Sequence, residues 1–562
     1  MVGTVHWVGN HLLASRQTAA SPRVRRLAAA ALLLVAACCS KQKVEAPPMA
    51  EPTVEIAPTG DLYHRPHVTI VAVTDWQSVL KPCGCTVDLQ KGGIERIAQY
   101  LDELRKKDDS VLVVHAGSLL ADPEATNGAR AAQRASRLDA FAESLDRVQI
   151  AAVALSTYDM EIGGQVVNAV YDNAKWPLLA LQGGSRKAMR SALARTKSGV
   201  AVGLIGVDPK APEDDTMRQQ AVQDEVVRLR SQGVRVVVVL SNLGLRGSRK
   251  LARSVPGIDV LVVGQLDEKI EPELDLEREG DTLVVHAARH GAWISALTLA
   301  PSGQDHAWKE VSEAVPGVIG DLEERIAAMD KSLADIKGRS TAANQKALPF
   351  FEARLADMKL RLDAARRAQG KPLPPGALAA FRPIGLPWSM PVDPVVAKIV
   401  AEYDAKVAEA NVKAAGDVLP VPPGQAGYVG QQACLECHDD AAAFAKADLH
   451  QLAWKGLEKA GKTKDLDCVS CHATGFGQPG GSNLAHLDGR TDVQCESCHG
   501  PGSLHVKAPT RGANSHIIAQ PDATLCATCH TAVHSPRFDF TDYRKRLLVP
   551  GHGLPLKGAQ AP

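Results

Sequence analysis

Aromatic side chains make up only 4% of the 562 residues, and neither sign of charge predominates, with 64 Lys and Arg against 63 Asp and Glu. The even balance removes any bulk electrostatic case for nucleic acid or a strongly acidic partner. Long apolar runs are missing too. None reaches the roughly 20 residues a helix needs to cross a bilayer, which excludes an integral channel. The cysteine spacing of a small disulfide scaffold is absent. The twelve cysteines fall in three places instead: Cys38 and Cys39 beside an N-terminal apolar run, Cys83 and Cys85 in Pro-Cys-Gly-Cys, and eight between Cys434 and Cys529. The length allows roughly three or four domains of about 150 residues, so several functions can share the chain.

Arg23, Arg25 and Arg26 precede the apolar stretch Leu27 to Ala37, which ends in Val35-Ala36-Ala37-Cys38. A basic region, a short apolar region and small residues before a cut predict a signal peptide over residues 1–37. A cysteine directly after the small residues resembles a bacterial lipobox, with Cys38 as the acylated new N-terminus. Cys39 is a weaker alternative, and an ordinary signal peptide with incidental cysteines is the plainer one. The leader before Arg23 is long, so translation is open to starting downstream of Met1. Residues 38–64, rich in Pro, Ala and Glu, read as a flexible tether. The expected location is the bacterial cell envelope, as a periplasm-facing lipoprotein held to the membrane by its lipid. Cys39, rather than aspartate, after Cys38 favours the outer membrane.

Residues 65–300 alternate apolar β-branched runs with helical segments. The runs are Val68–Thr74, Val111–His115, Gln149–Leu155, Val200–Ile205, Val234–Ser241 and Val260–Gly264. Continuous runs of this kind suit strands covered on both faces, and predict an α/β layered sandwich. Two apolar stripes with seven-residue spacing follow, Leu322 to Ile336 and Phe351 to Ala365, separated by Gly338-Arg339-Ser340 and Pro349. They predict an antiparallel helical hairpin, with dimerisation through the same surface as the alternative. Lys371 to Pro391 reads as a Pro-rich linker. Asp393-Pro394 reads as an N-cap and first-turn proline of a helix with Val396, Ile399, Val400, Tyr403 and Val407 on one face. Residues 301–427 therefore form an expected α-helical connector, and 428–562 a mostly helical and irregular cysteine-rich domain.

That last region contains four C-x-x-C-H motifs: Cys434, Cys437 and His438; Cys468, Cys471 and His472; Cys495, Cys498 and His499; Cys526, Cys529 and His530. Two thiols three positions apart on a helical turn can form thioethers to the two vinyl groups of one haem, and the next histidine then reaches the iron. Structural zinc also uses C-x-x-C pairs, but does not require a histidine after each one. Four covalently attached c-type haems are expected, with His438, His472, His499 and His530 as proximal ligands. Export agrees with this, because c-type haem is attached outside the cytoplasm. His450, His505, His534 and His552 are candidates for the opposite axial position. His534 lies four residues beyond His530, so on a regular helix it could not ligate the same iron from the opposite face. His486 and His516 are expected at the surface.

Around these motifs, Tyr428 to Ala433, Ala473 to Gly477, the turn His499 to His505 and His534 to Phe538 resemble the tetrahaem cytochromes that accept electrons from hydroxylamine oxidoreductase. The resemblance covers roughly residues 428–552. It implies closely packed, mostly bis-histidine haems serving electron transfer, with one iron five-coordinate in some members. It also implies redox partner proteins, which the sequence does not identify.

Ile70 to Asp75, Pro82-Cys83-Gly84-Cys85, Gly92 to Arg96, Val113 to Ser118, Val239 to Gly244 and Val262 to Asp267 resemble the calcineurin-like metallophosphoesterases, particularly the N-terminal domain of exported 5′-nucleotidases. Those enzymes hold two metal ions with Asp and His ligands. Here the family's Asp-x-His is Asp75-Trp76-Gln77, its Gly-Asp is Gly117-Ser118, and its Asn-His-Asp/Glu stretch is Thr157-Tyr158-Asp159. Its Ser-His is Ser241-Asn242, and its Gly-His-x-His is Gly264-Gln265-Leu266-Asp267. Ser, Gln, Asn and Leu cannot replace the missing charge and imidazole nitrogens. The expectation is a degenerate phosphoesterase domain serving as scaffold or docking surface for an electron-transfer cytochrome, with no residues assigned to catalysis. The alternatives are a multihaem oxidoreductase with one open iron and a 5′-nucleotidase-like hydrolase. Cys83 and Cys85 are open to a local disulfide, a metal or a plain loop role, and the sequence leaves the oligomeric state undetermined.

Overall fold

The computed structural model describes residues 62–81, 91–121, 129–181, 187–210, 212–265, 275–303, 306–315, 317–338, 342–508, 517–531, 534–535 and 538–555. Cys38, Cys39, Cys83, Cys85, Asp267 and His516 lie outside the described residues.

The strands are β1 (Val68–Thr74), β2 (Val111–Ala116), β3 (Ile150–Ala154), β4 (Leu178–Leu179), β5 (Ser191–Arg195), β6 (Ala201–Val207) and β7 (Val236–Ser241). They continue with β8 (Val260–Val263), β9 (Glu277–Glu279), β10 (Thr282–Val285), β11 (Trp293–Ala300), β12 (Lys309–Glu310) and β13 (Leu378–Gly385). Among them run helices α1 (Ile94–Lys107), α2 (Ala129–Val148), α3 (Thr157–Asn173), α4 (Asp215–Ser231), α5 (Gly244–Ser254), α6 (Val318–Gly338), α7 (Ala342–Ala368) and α8 (Pro394–Ala414).

Two sheets form, in the orders β12-β13-β11-β1-β2-β3-β4 and β5-β6-β7-β8-β10-β9. β1 to β4 are mutually parallel, as are β6, β7, β8 and β10. Every residue of β1, β6, β7 and β8 is buried, as continuous apolar runs require when both faces are covered. Val68, Ile70 and Ala72 face Val202, Leu204, Val236 and Val238 between the sheets. Val71 and Val73 turn the other way, toward Ile97, Leu101, Phe141 and Val400. Ile205, Val237 and Val239 pack on Val222, Leu229 and Leu251 of α4 and α5. The body is therefore helix, sheet, sheet, helix, with each buried Val or Leu stabilising it by about 1.5–3 kcal/mol relative to exposure.

Residues 301–427 are not a connector throughout. The stretch read as a Pro-rich linker contains β13, paired antiparallel with β11 from Trp293↔Gly385 to Ala300↔Leu378. Its Pro383 is tolerated because β12 covers only Leu378 and Ala379, leaving the rest of β13 with one neighbour. Helix α8 also belongs to the body. Asp393 caps it through the Val395 and Val396 amides, and Val396, Val400, Tyr403 and Val407 join the core over α1 and α2.

The hairpin forms within the chain. Lys337 pairs with Glu352, Asp330 with Lys359 and Glu323 with Arg366, an antiparallel register. Pro349 does not end a helix but lies inside α7. Leu322, Met358, Leu362 and Ala365 bury against Leu378 and Ala380 of β13.

The remaining helices are short: α9 (Gln431–Leu435), α10 (Ala442–Ala447), α11 (Ala453–Ala460), α12 (Leu466–His472), α13 (Cys495–His499), α14 (Ser503–Val506), α15 (Ala523–Ala527) and α16 (Phe540–Leu547). Among the described residues their one apolar cluster has six buried members, Trp454, Leu457, Leu466, Val469, Ala473 and Leu484.

A buried ion pair closes the entry to β1, where His67 Nε2 lies 3.0 Å from Asp108 Oδ1. Burial opposes the charge on His67, yet bonds to Asp108 and the Arg65 carbonyl outweigh it and raise its pKa. A raised pKa contributes stability that is complete below the unfolded value of about 6.5 and is lost as pH rises through the folded value. His67→Leu is therefore expected to lower the thermal midpoint most near pH 5–6 and progressively less above that, as read by circular dichroism at a series of pH values. A penalty that grows with pH would contradict the assignment.

Candidate functional site

Each C-x-x-C-H motif occupies one helical turn. In the first, the His438 amide bonds the Cys434 carbonyl at 3.0 Å, and in the fourth His530 does the same to Cys526 at 2.9 Å. The second motif fills the end of α12, and the third is α13 itself. Residues three and four apart share a helix face, so both thiols and the imidazole of each motif face one way. Among the described residues the eight motif cysteines form no disulfide.

The motifs lie in two pairs. The Cys434 and Cys495 thiols lie near enough to interact, which raises the first pKa and lowers the second. Cys471 and Cys529 do likewise, with Cys529 lowered to about 6. The first and third motifs are thus adjacent, as are the second and fourth. Buried polar side chains fix the first pair. Glu496 accepts from Val429 N at 2.9 Å, Gly430 N at 2.7 Å and Gly502 N at 2.7 Å. Gln494 Oε1 accepts from Gln431 N at 3.0 Å. The Tyr428 ring lies on Gly475, whose φ of 63° and close approach leave no room for a Cβ.

Three motif histidines face a second imidazole. Ring centroids are 6.3 Å apart for His438 and His505, 6.1 Å for His530 and His450, and 6.1 Å for His499 and His552. A metal held between two imidazole nitrogens, about 2 Å from each, places ring centroids roughly 6 Å apart. Second-shell bonds hold several rings by Nδ1, leaving Nε2 as the ligating atom. His499 is 2.7 Å from Ile518 O, His472 2.6 Å from Ala453 O, His552 2.7 Å from Leu547 O and His450 3.0 Å from Asp448 Oδ2. These residues fit haem iron. Among the described residues no three His, Cys, Asp or Glu side chains converge on a common point.

His534 is held by Thr531 Oγ1 at 2.9 Å, and His552 takes the place opposite His499. His472 has no ring contact with a second imidazole among the described residues. His486 is exposed. Sequence reasoning overlooked Glu496, although a charged residue inside a motif and buried beside glycine-rich turns was the available signal.

At the sheet ends, the polar side chains that remain are engaged with their neighbours. Asp75 Oδ1 accepts from Ser118 N at 3.0 Å and Gln265 N at 3.1 Å. Asn242 bonds Gly117 N at 2.7 Å and Leu155 O at 3.1 Å. Gln77 Oε1 lies 2.6 Å from His290 Nε2. Asp159 is buried and receives Leu119 N, Leu120 N, Ala121 N, the Ser118 hydroxyl and the Tyr171 hydroxyl. Burial nevertheless raises its pKa. Among the described residues, the Asp75, Asn242 and Asp159 oxygens are thus already engaged by backbone amides.

Residues 433–500 match the family model described as Cytochrome c554 and c-prime. Cytochrome c-554 of Nitrosomonas europaea is 37% identical over 93 residues, covering 14% of this chain and 40% of that protein. The chain thus spans less than half the length of this curated relative. Among solved structures, a 5′-nucleotidase precursor from Thermus thermophilus is 17% identical, with 70% of this chain and 68% of that chain covered and a TM-score of 0.41. The NAD nucleotidase of Haemophilus influenzae is 19% identical, with 42% and 54% covered and a TM-score of 0.35. The cysteine-rich region is similar to a c-type cytochrome, a class that binds haem covalently.

Replacing Glu496 tests the backbone clamp. Glu496→Leu strands the buried Gly502 amide, at about 1–3 kcal/mol, and the part-buried Val429 and Gly430 amides, so the cytochrome-like region should unfold at clearly lower denaturant, followed by Soret absorbance, while Glu496→Gln loses less. Unchanged midpoints in both variants would show that the clamp is dispensable.

Proposed function

We propose that this chain is an exported, lipid-anchored multihaem c-type cytochrome for electron transfer, built on a phosphoesterase-type α/β body that has lost its metal ligands. The observation that carries the reading is the coincidence of four C-x-x-C-H turns with three imidazole pairs at 6.1–6.3 Å. Four haems are assigned to the cysteines of the four motifs, with His438, His472, His499 and His530 as proximal ligands. His505, His450 and His552 stand opposite the first, fourth and third of these. Haem, when bound, supplies one-electron exchange. The chain's own residues bind it through thioethers, orient the imidazoles through their Nδ1 bonds and bring the motifs into two adjacent pairs. Cys38 is the proposed lipid attachment, on a periplasm-facing lipoprotein of the outer membrane, and the electron donor and acceptor are redox proteins.

His472 favours a second reading. With no second imidazole in ring contact with it among the described residues, the second haem is proposed to carry an open axial position at which a small ligand or substrate binds, so that redox catalysis accompanies electron transfer.

The mass of the intact holoprotein is expected to show four covalent haems, and Cys526→Ser combined with Cys529→Ser to show three. Redox-titrated EPR should give three low-spin signals and one high-spin signal that responds to cyanide. Uniformly low-spin haem would sink the open-site reading, and absence of covalent haem the whole proposal. Phosphoesterase activity with added Mn²⁺ or Zn²⁺ is expected to stay at background in both wild type and Asp75→Ala. Metal-dependent turnover abolished by Asp75→Ala would overturn the loss of hydrolysis.

A further inference from the structure

The second haem motif differs from the other three in what holds it. Its helix, α12, is seated on the α/β body by a buried polar cluster. Gln133 of α2 lies at the centre, 3% exposed, with all four bonds made. Its Nε2 donates to Asp465 Oδ1 at 2.6 Å and Asp467 Oδ2 at 3.2 Å. Its Oε1 accepts from Leu466 N at 3.0 Å, an amide in the first turn of α12, and from Asn411 Nδ2 of α8 at 2.7 Å. Asn411 continues to Lys464 O at 2.9 Å. Asp465 is the N-cap of α12.

Charges brace the same helix. Lys462 bonds Asp404 at 2.9 Å and Asp465 at 3.0 Å, and Lys81 bonds Asp404 at 2.6 Å. Arg137 of α2 reaches Asp467 at 3.1 Å. Beyond these contacts, one to two turns along α12, lie Cys468, Cys471 and His472. The charge of Arg130, at the start of α2, acts on the Cys471 thiol. Among the described residues, α9, α13 and α15, which carry the other motifs, make no hydrogen bond to the body at 62–414.

We infer that α2 of the α/β body is the positioning element for the second haem motif, with Gln133 as the positioning residue that sets the orientation of α12 and therefore of Cys468, Cys471 and His472. A glutamine suits the place because it gives two donors to two carboxylates and one acceptor oxygen to two donors. A carboxylate there would repel Asp465 and Asp467, and an apolar side chain would leave the Leu466 amide without this partner and Asn411 with only its bond to Lys464 O. The body thus acts on the haem motif whose histidine has no second imidazole in ring contact among the described residues, where the surroundings of that histidine tune the proposed haem. The inference rests on the multihaem reading above.

The test uses the full-length holoprotein with Gln133→Leu, Gln133→Glu and, as a destabilised control on the hairpin side, Asp321→Asn, which weakens the pair with Arg382. The readouts are haem count by mass, the four midpoint potentials, and the rate of cyanide binding at the high-spin haem. Both Gln133 variants are expected to shift the potential and cyanide rate of that haem alone, with Gln133→Glu the larger, while Asp321→Asn moves neither. Selective loss of that one haem also supports the inference. Four haems with wild-type potentials and cyanide kinetics in Gln133→Leu would overturn it, as would an equal shift of all four. Wild-type protein with fewer than four covalent haems would overturn the multihaem reading and this inference with it, and the haem count alone separates that failure from the former.

Discussion

The cysteine-rich region depends on buried side chains that hold backbone amides. With only six side chains in its apolar cluster among the described residues, burial supplies little of the order there. The segments are instead fixed where Glu496 collects three amides, where Gln494 joins the first and third motifs, and where Gln133 receives the first turn of α12. Such bonds are directional and their loss strands buried donors, so they define a geometry more sharply than apolar contact does. Within this frame, histidines distant in sequence come to ring-centroid spacings of 6.1–6.3 Å. Apolar side chains near His450 stay exposed, Leu449 at 80% and Leu452 at 54%.

The α/β body shows the opposite balance. Its strands were legible in the sequence because parallel strands covered on both faces must be apolar at every position, and β1 coincides with the run Val68–Thr74. β13 was not legible. Pro374, Pro375, Pro383, Pro387 and Pro391 mark its neighbourhood as linker, and only the pairing with β11 shows that Leu378 to Gly385 is strand. Helix α8 announced its cap in Asp393-Pro394, but not that it would lie on α1 and α2. The four C-x-x-C-H motifs were legible because their spacing is local. Which imidazole comes near each motif histidine depends on loops, and the approach of His505, His450 and His552 to His438, His530 and His499 has no local signal in the sequence. Gln133 carried no signal, since a lone glutamine in an amphipathic helix reads as a solvated position.

The sheet ends, where resemblance pointed to a metal centre, are a closed network. Asp75, Asn242 and Asp159 satisfy backbone amides that shape the ends of β1, β2 and β7, and Tyr171 and Ser118 complete the shell around Asp159. These polar residues stabilise loops, and the contact of α2 with α12 is made by other residues.

The thiol pairs have a consequence for assembly. The Cys434 and Cys495 thiols lie close together, as do those of Cys471 and Cys529, each pair bringing sulfurs from different motifs together. In the oxidising compartment proposed for this chain, thiols so placed are prone to form disulfides, and each such bond would consume one attachment point from two proposed haems at once. On that reading, thioether formation and cross-linking compete for the same sulfurs.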